Sequence, residues 1–263
     1  MQPLVARSPY RIQLDVLYAL LLREFAARFG RSRVGFLWTF IEPIVHTAAP
    51  IVIFGFLLER HVSGIDYPVF LVFGLLPYFL FRTICTQTME SLNVSRGLLS
   101  YRPVHLIDVI FAKAIFTAAL ETLLFLVIGA GLAVMGFNVV PTHPIEWLLI
   151  LIGVCLFALG LGMILAAIVS FMPDAKTLIR LLFMPLYFLS GIILPITRFP
   201  DEWVDYLSWN PVLHWVEASR AFAVPHYEPM RQMSLRMVFF SGAITLLIGL
   251  SLYRLRRLNR VTT

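Results

Sequence analysis

Glu42, Arg82, Glu90 and Glu121 all stand inside long apolar runs. A charge in hydrocarbon is costly, so such residues pair with one another or line a hydrated path. Arg82, Thr86 and Glu90 recur at i, i+4 and i+8, with Thr83 and Gln87 alongside. On a helix that spacing makes one polar stripe, which must face protein or water. Glu42 and Arg82 lie at similar depth, roughly 12–14 Å from the same end of their runs at a rise of about 1.5 Å per residue. They read either as a pair that holds two helices together or as the lining of a hydrated path. Glu121 falls mid-run and needs a partner that spacing does not name. His214, Glu217 and Arg220 share one side of a later helical stretch. His-x-x-Glu can be half of a metal site, but no second matching pair occurs, so no metal is expected. The two readings left are a salt-bridged helix and a contact surface for a polar substrate or periplasmic partner.

Motifs for chemistry on a substrate are absent. There is no G-x-x-x-x-G-K-[ST], so the chain carries no phosphate loop of its own. There is no H-E-x-x-H, no G-x-S-x-G and no Asp-x-Asp pair. No catalytic residue and no cofactor in this chain are expected.

The elements that carry the polar residues follow from composition. Of 263 residues 59% are hydrophobic and only 14% charged, against roughly a quarter charged in soluble domains. The expected class is an all-α polytopic membrane protein, since apolar runs of this continuity do not fit barrel alternation. Six spans are expected, at about 34–58, 68–91, 107–137, 145–172, 178–196 and 235–252. Before them, residues 1–33 form a cytoplasmic region. There Leu14, Leu17, Tyr18, Leu21, Phe25 and Phe29 recur at helical spacing, and the segment reads as an interfacial amphipathic helix. A helix packed on the rest of the protein is the alternative. Residues 253–263 form a basic cytoplasmic tail, and no cleavable signal peptide is expected. With both termini inside, the inner segments hold Arg7, Arg11, Arg23, Arg28, Arg31, Arg33, Arg96, Arg102, Lys176, Arg180, Arg254, Arg256, Arg257 and Arg260. The outer ones hold Arg60, Arg198, Arg220, Arg231 and Arg236. This asymmetry sets the orientation and explains the net charge of +6 without nucleic acid. Segment 197–234 is too apolar for an ordinary loop. Trp203, Trp209 and Trp215 lie in it, and Pro200, Pro211 and Pro225 break it, so it reads as one or two short helices re-entering the outer leaflet. Ala158, Gly162 and Ala166, with Gly160, form a small-residue series suited to close helix packing. Cys85 and Cys155 fall in apolar runs and read as packing residues without a disulfide.

The chain resembles the membrane subunit of type-2 ABC exporters, and among them the capsular-polysaccharide permeases of the KpsM, BexB and CtrC kind. The resemblance is carried by LLREFAARFGRSRVGFLWTFIEPIVH at 21–46, YPVFLVFGLLPYFLF at 67–81 and GLLSYRPVHLIDVIFAKA at 97–114. It continues in MPLYFLSGIILPITRFPDEWVDYLSWNPVLHWVEASRAFAVPHY at 184–227. It implies a half-transporter in the bacterial inner membrane, working as a homodimer on two separate ATP-binding subunits that hold ATP and Mg. It implies lipid-linked polysaccharide as substrate, with O-antigen or another glycan as the alternative. A drug or lipid exporter and a membrane-embedded glycan-assembly enzyme stand further off. A periplasmic copolymerase or adaptor and an outer-membrane channel are further partners. Coupling to the ATPase is assigned to Ser95, Arg96, Leu99, Tyr101, Arg102, Pro103 and His105. The interfacial entrance is assigned to Arg23, Arg28, Arg31 and Arg33. The translocation path is assigned to Trp38, Glu42, His46, Phe79, Arg82, Gln87, Glu90, Tyr187, Trp215, Glu217 and Arg220. Phe40, Phe81 and Phe188 are added as ring surfaces for sugars.

Overall fold

The computed structural model describes residues 8–29, 33–57, 61–62, 65–94 and 105–261. Among these the chain is almost wholly helical. It runs α1 Pro9–Phe29, α2 Arg33–Pro50, α3 Tyr67–Val94, α4 Leu106–Val134, α5 Pro144–Phe171, α6 Ala175–Leu189, α7 Asp201–Leu207, α8 Pro211–Ala223 and α9 Leu235–Val261. A π-helical stretch, Ile51–Leu57, continues α2. A two-residue hairpin pairs His61 with Asp66 and Val62 with Ile65, antiparallel, just before α3.

Four helices are long and apolar enough to cross a membrane: Tyr67–Ser91, Leu106–Val134, Pro144–Phe171 and Leu235–Leu255. They lie over the residues of the second, third, fourth and sixth expected spans. The first expected span, 34–58, is occupied by α2 and its π-helical continuation, in which only Ile44–Phe54 is a short apolar helix. The fifth is only partly helical. Its helix ends at Leu189, well short of residue 196, and the chain then turns through Gly191 at φ +67°. That left-handed backbone suits glycine, and Pro195 follows before a 3₁₀ turn at Ile196–Arg198.

Helix α3 is the centre of the bundle. Phe70, Leu71, Phe73 and Phe81 are wholly buried, and α4, α5 and α8 pack around them. Pro77 interrupts α3 and leaves the Phe73 carbonyl without its intrahelical donor. The Ser219 hydroxyl of α8 donates to that carbonyl at 2.8 Å, and Trp147 Nε1–H donates to Ser219 Oγ at 3.0 Å. The small residues of α5 make close contacts on two sides. Gly160 meets the α9 backbone at Thr245 and Leu246, and Gly162 meets Cys85 and Thr88 of α3. Outward faces of α4 and α9 stay apolar, with Leu123, Leu126, Phe240 and Leu247 exposed. Cys85 is buried, Cys155 half-buried, and both are free thiols.

Helix α1 is packed on the bundle, and of the expected stripe Leu17 and Leu21 join the contact. Val16 and Leu20 bury against Val109 and Ala112 of α4, while Leu14, Tyr18 and Phe25 remain exposed. Both sides of α1 are apolar, so periodicity alone could not choose between them. Gln13 fixes the contact, since its Nε2–H donates to Asp108 Oδ1 at 2.6 Å. Asp108 also accepts from the His105 backbone N–H at 2.9 Å and so caps the start of α4.

The segment between α6 and α9 folds inward. Trp203, Tyr206 and Trp209 are exposed, as an aromatic belt would be, but Trp215 is core. Asn210 caps α8, accepting from Val212 N–H at 3.0 Å, and its own Nδ2–H donates to Ser190 Oγ at 3.0 Å. Asn210→Ala removes the cap and the link to the end of α6 together. It is expected to cost about 1–2 kcal/mol, read as a lower melting temperature in detergent.

Candidate functional site

A cleft of about 580 Å³ opens between α1, α2, α3, α4 and α6. Arg28 comes from α1, Trp38 and His46 from α2, and Glu121 from α4. Helix α3 contributes Phe79, Arg82, Thr83, Thr86, Gln87 and Glu90, and α6 contributes Arg180 and Phe183. The stripe on α3 therefore faces an open space, and Glu121 is set across from it. Glu121 Oε1 accepts from Thr83 Oγ1 at 3.0 Å, which supplies the partner that spacing could not name. Gln87 Oε1 accepts from Thr117 Oγ1 of α4 at 3.0 Å. Thr86 turns its hydroxyl back to the Arg82 carbonyl at 2.8 Å, which satisfies it within the helix.

Cations outnumber acids here. Arg28, Arg82 and Arg180 line the cleft against Glu90 and Glu121. Glu90 accepts from Arg180 and also stands 3.4 Å from Lys176 Nζ. Arg82 is exposed and has no ion-pair partner among the described residues. Aromatic rings form one wall. His46 packs edge-on to Phe79 at 5.2 Å and, behind the lining, edge-on to Tyr187 at 6.3 Å. Tyr187 meets Tyr78 at 5.1 Å, and the Tyr78 hydroxyl donates to the Phe183 carbonyl. Such a cleft offers guanidinium forks to carboxylate or phosphate and flat faces to sugar rings.

Not every sequence-selected residue arrives there. Trp215, Glu217 and Arg220 are fully buried in α8, away from the cleft. Trp215 packs between Phe157 at 4.4 Å and Phe81 at 5.7 Å, which also removes Phe81 from any lining role. Arg220 donates to the carbonyls of Phe70 at 3.0 Å, Gly191 at 2.8 Å and Ile192 at 2.8 Å, and stacks 3.5 Å over the Phe70 ring. Glu217 stands 3.4 Å from Arg220 Nη1 and accepts from Tyr227 OH and Met230 N–H, each at 2.9 Å. His214 Nδ1 accepts from Ser234 N–H at 3.1 Å, so its Nε2–H donates to the Ser208 carbonyl at 2.7 Å and the ring is neutral. Glu217 and Arg220 therefore form a buried, salt-bridged brace, and His214 ties the same helix to Ser208 and Ser234. No group of residues able to hold a metal occurs among the described residues.

Phe40 stacks on Phe29 at 6.3 Å and Phe188 is exposed on α6. Arg23 lies on α1, with its Nη1 3.6 Å from Glu24. Arg31, Ser95, Arg96, Leu99, Tyr101, Arg102 and Pro103 lie outside the described residues, as do the side chains of Arg33 and Glu42. His105 begins α4. Sequence reading missed Arg180 and Lys176 as site residues and counted them only toward orientation. Their i, i+4 spacing on an otherwise apolar helix was the available signal.

Long apolar helices around a cationic, aromatic-walled cleft define a polytopic membrane protein with the makings of a transport subunit. The family model described as ABC-2 type transporter matches residues 15–223, and the chain belongs to that family. It is 34% identical over 263 residues to the polysialic acid transport protein KpsM of Escherichia coli, covering 98% of this chain and all of that one. It is 30% identical to the capsule polysaccharide export inner-membrane protein CtrC of Neisseria meningitidis, over 80% of this chain and 79% of that one. It is 26% identical to the O-antigen export system permease protein RfbA of Myxococcus xanthus, over 81% of this chain and 82% of that one.

Proposed function

We propose that this chain is the permease subunit of an ATP-driven exporter that moves lipid-linked capsular polysaccharide across the bacterial inner membrane. The reading is carried by similarity to the polysialic acid transport protein along almost the whole chain. The cleft supports it physically. Arg28 and Arg82 are placed to meet acidic sugars or a lipid phosphate, and Trp38 and Phe79 present rings on which pyranose faces can stack.

In this reading the chain crosses the membrane six times with both termini cytoplasmic. Helix α2 with Ile51–Leu57, and α6 with the turns that follow it, complete the set begun by the four long helices. At about 1.5 Å per residue α6 reaches only about 22 Å, short of a roughly 30 Å hydrocarbon core. The turns after it carry the chain the remaining distance, and α7 and α8 form the re-entrant outer segment. Two copies pair, and each rests on a separate ATP-binding subunit that holds ATP and Mg. This chain holds no cofactor and hydrolyses nothing. Ser95, Arg96, Leu99, Tyr101, Arg102, Pro103 and His105 take the coupling role. Arg23, Arg28, Arg31 and Arg33 flank the entrance. A periplasmic adaptor and an outer-membrane channel continue the route.

Deletion of the gene is expected to strip polymer from the cell surface while polymer accumulates inside, with restoration by the intact copy. Purification from native membranes should retain a phosphate-loop ATPase in equal amount. Unchanged surface capsule would overturn the reading. Loss of O-antigen with capsule intact would select the O-antigen exporter, which the similarity to RfbA favours as the second reading.

A further inference from the structure

The ion pair at the α3–α6 end of the cleft has a property that simple bracing does not require. Glu90 alone serves two cations, Arg180 and Lys176, which stand one turn apart on α6. All three are partly open to water, with 28% of the Glu90 side chain, 53% of Arg180 and 36% of Lys176 exposed. An ion pair so exposed contributes little to stability. Exchanging its carboxylate for another anion is therefore nearly isoenergetic. Arg82 lies two turns along the same face of α3, about 12 Å away at 1.5 Å per residue, on the same cleft and without an ion-pair partner among the described residues.

We propose that Arg180, Lys176 and Arg82 form an anion site that Glu90 masks in this conformation, and that a carboxylate or phosphate of the cargo displaces Glu90 and frees α3 from α6. The cargo's identity rests on the export reading above; the masked site rests on the cleft alone. A chain carrying several anionic groups reaches Arg82 as well as the α6 cations. Glu90 offers a single carboxylate, so the cargo gains from the second contact. Elsewhere α3 and α6 meet through Tyr78 OH on the Phe183 carbonyl and through Phe81 against Phe183. Those contacts involve neither Glu90 nor its cations and can persist while this end opens. Glu90 thus acts as an internal stand-in for the cargo's own acid.

The test uses the full-length protein purified in its native complex and placed in phosphatidylcholine nanodiscs. Binding of fluorescent oligogalacturonate, a polycarboxylate sugar, is compared with dextran of matched length by anisotropy. Oligogalacturonate is expected to bind more tightly than dextran. Glu90→Gln is expected to tighten it about fivefold, the scale of an exposed ion pair removed from competition. Arg180→Gln and Arg82→Gln are expected to weaken it by a similar factor. Arg82→Gln keeps the test valid if Arg180→Gln fails to fold, because Arg82 is exposed and outside the ion pair. The same signature seen only in phosphatidylglycerol nanodiscs, without sugar preference, would support the site with a lipid phosphate as its ligand. If Glu90→Gln weakens anion binding or leaves it unchanged, the contact is a brace and the proposal is overturned. That result would leave the surface-polymer test in cells untouched, so the two readings fail separately.

Discussion

Arg220→Met is expected to cost about 3–5 kcal/mol, the scale of breaking a buried pair by removing one partner. The loss has three parts. Gly191 and Ile192 follow the end of α6, where carbonyls have no intrahelical donor, and Arg220 supplies the donors at 2.8 Å each. Non-helical backbone at membrane depth persists only where protein satisfies it. The Phe70 carbonyl loses a further donor, and the Glu217 carboxylate is left buried beside an apolar side chain. Arg220→Lys should recover less than half of the loss, since an ammonium cannot span three carbonyls as a planar fork does. Gly74→Ala approaches the same brace from α3, because its Cβ would stand 2.2 Å from Arg220 Nη2. The measurement is thermal unfolding in detergent, followed by size exclusion, together with protease cleavage after α6. A melting temperature for Arg220→Met equal to that of the unaltered protein would remove the brace from the account.

That brace also marks where sequence reading stopped. Arg220 reaches Phe70 across 150 residues and Gly191 across 29, and no local pattern announces either contact. An arginine at helical spacing from a histidine and a glutamate fitted both a salt-bridged helix and a contact surface, and its distant partners made it core. The end of α6 was hidden for a related reason. Residues 178–196 are apolar enough to continue as a span, but the break at Gly191 is held by distant partners, Arg220 on the Gly191 and Ile192 carbonyls and Tyr67 on the Ile193 carbonyl. The stripe Arg82, Thr86 and Glu90 was legible because its period belongs to one helix and lipid cannot solvate it. Its counterparts, Arg180 and Lys176, were visible only as charges near a membrane end. The buried face of α1 was undecidable from α1 alone. Val109 and Ala112 of α4 chose Val16 and Leu20 over the equally apolar opposite side. Lipid solvation thus dictates the long helices and their polar stripes residue by residue, whereas ends, breaks and braces depend on distant partners.

Gly160→Val is expected to separate α5 from α9. An added Cβ at Gly160 would stand 2.3 Å from Leu246 N and 2.4 Å from the Thr245 carbonyl carbon. Both atoms are backbone, so no side chain can swing aside and the whole helix must move. Across the same contact, Gly249 comes within 2.8 Å of the Gly160 carbonyl oxygen when given a Cβ. The two helices are thus matched glycine to glycine, and in lipid, where apolar helices gain nothing by merely avoiding water, such close packing supplies much of the association. The expected cost is about 3 kcal/mol, at the upper end for overpacking a filled interface. Gly131→Ala in α4 is the control, since its Cβ would meet nothing within 4 Å. There the better helix former should leave stability unchanged or raise it by up to about 1 kcal/mol. Melting temperatures of the two variants in detergent should therefore move in opposite directions or differ by the full cost. Equal behaviour would mean that α5 and α9 are not packed backbone to backbone. In a protein whose α9 is otherwise largely exposed, loosening that contact is expected to release α9 first, read as faster protease cleavage and amide hydrogen exchange within α9.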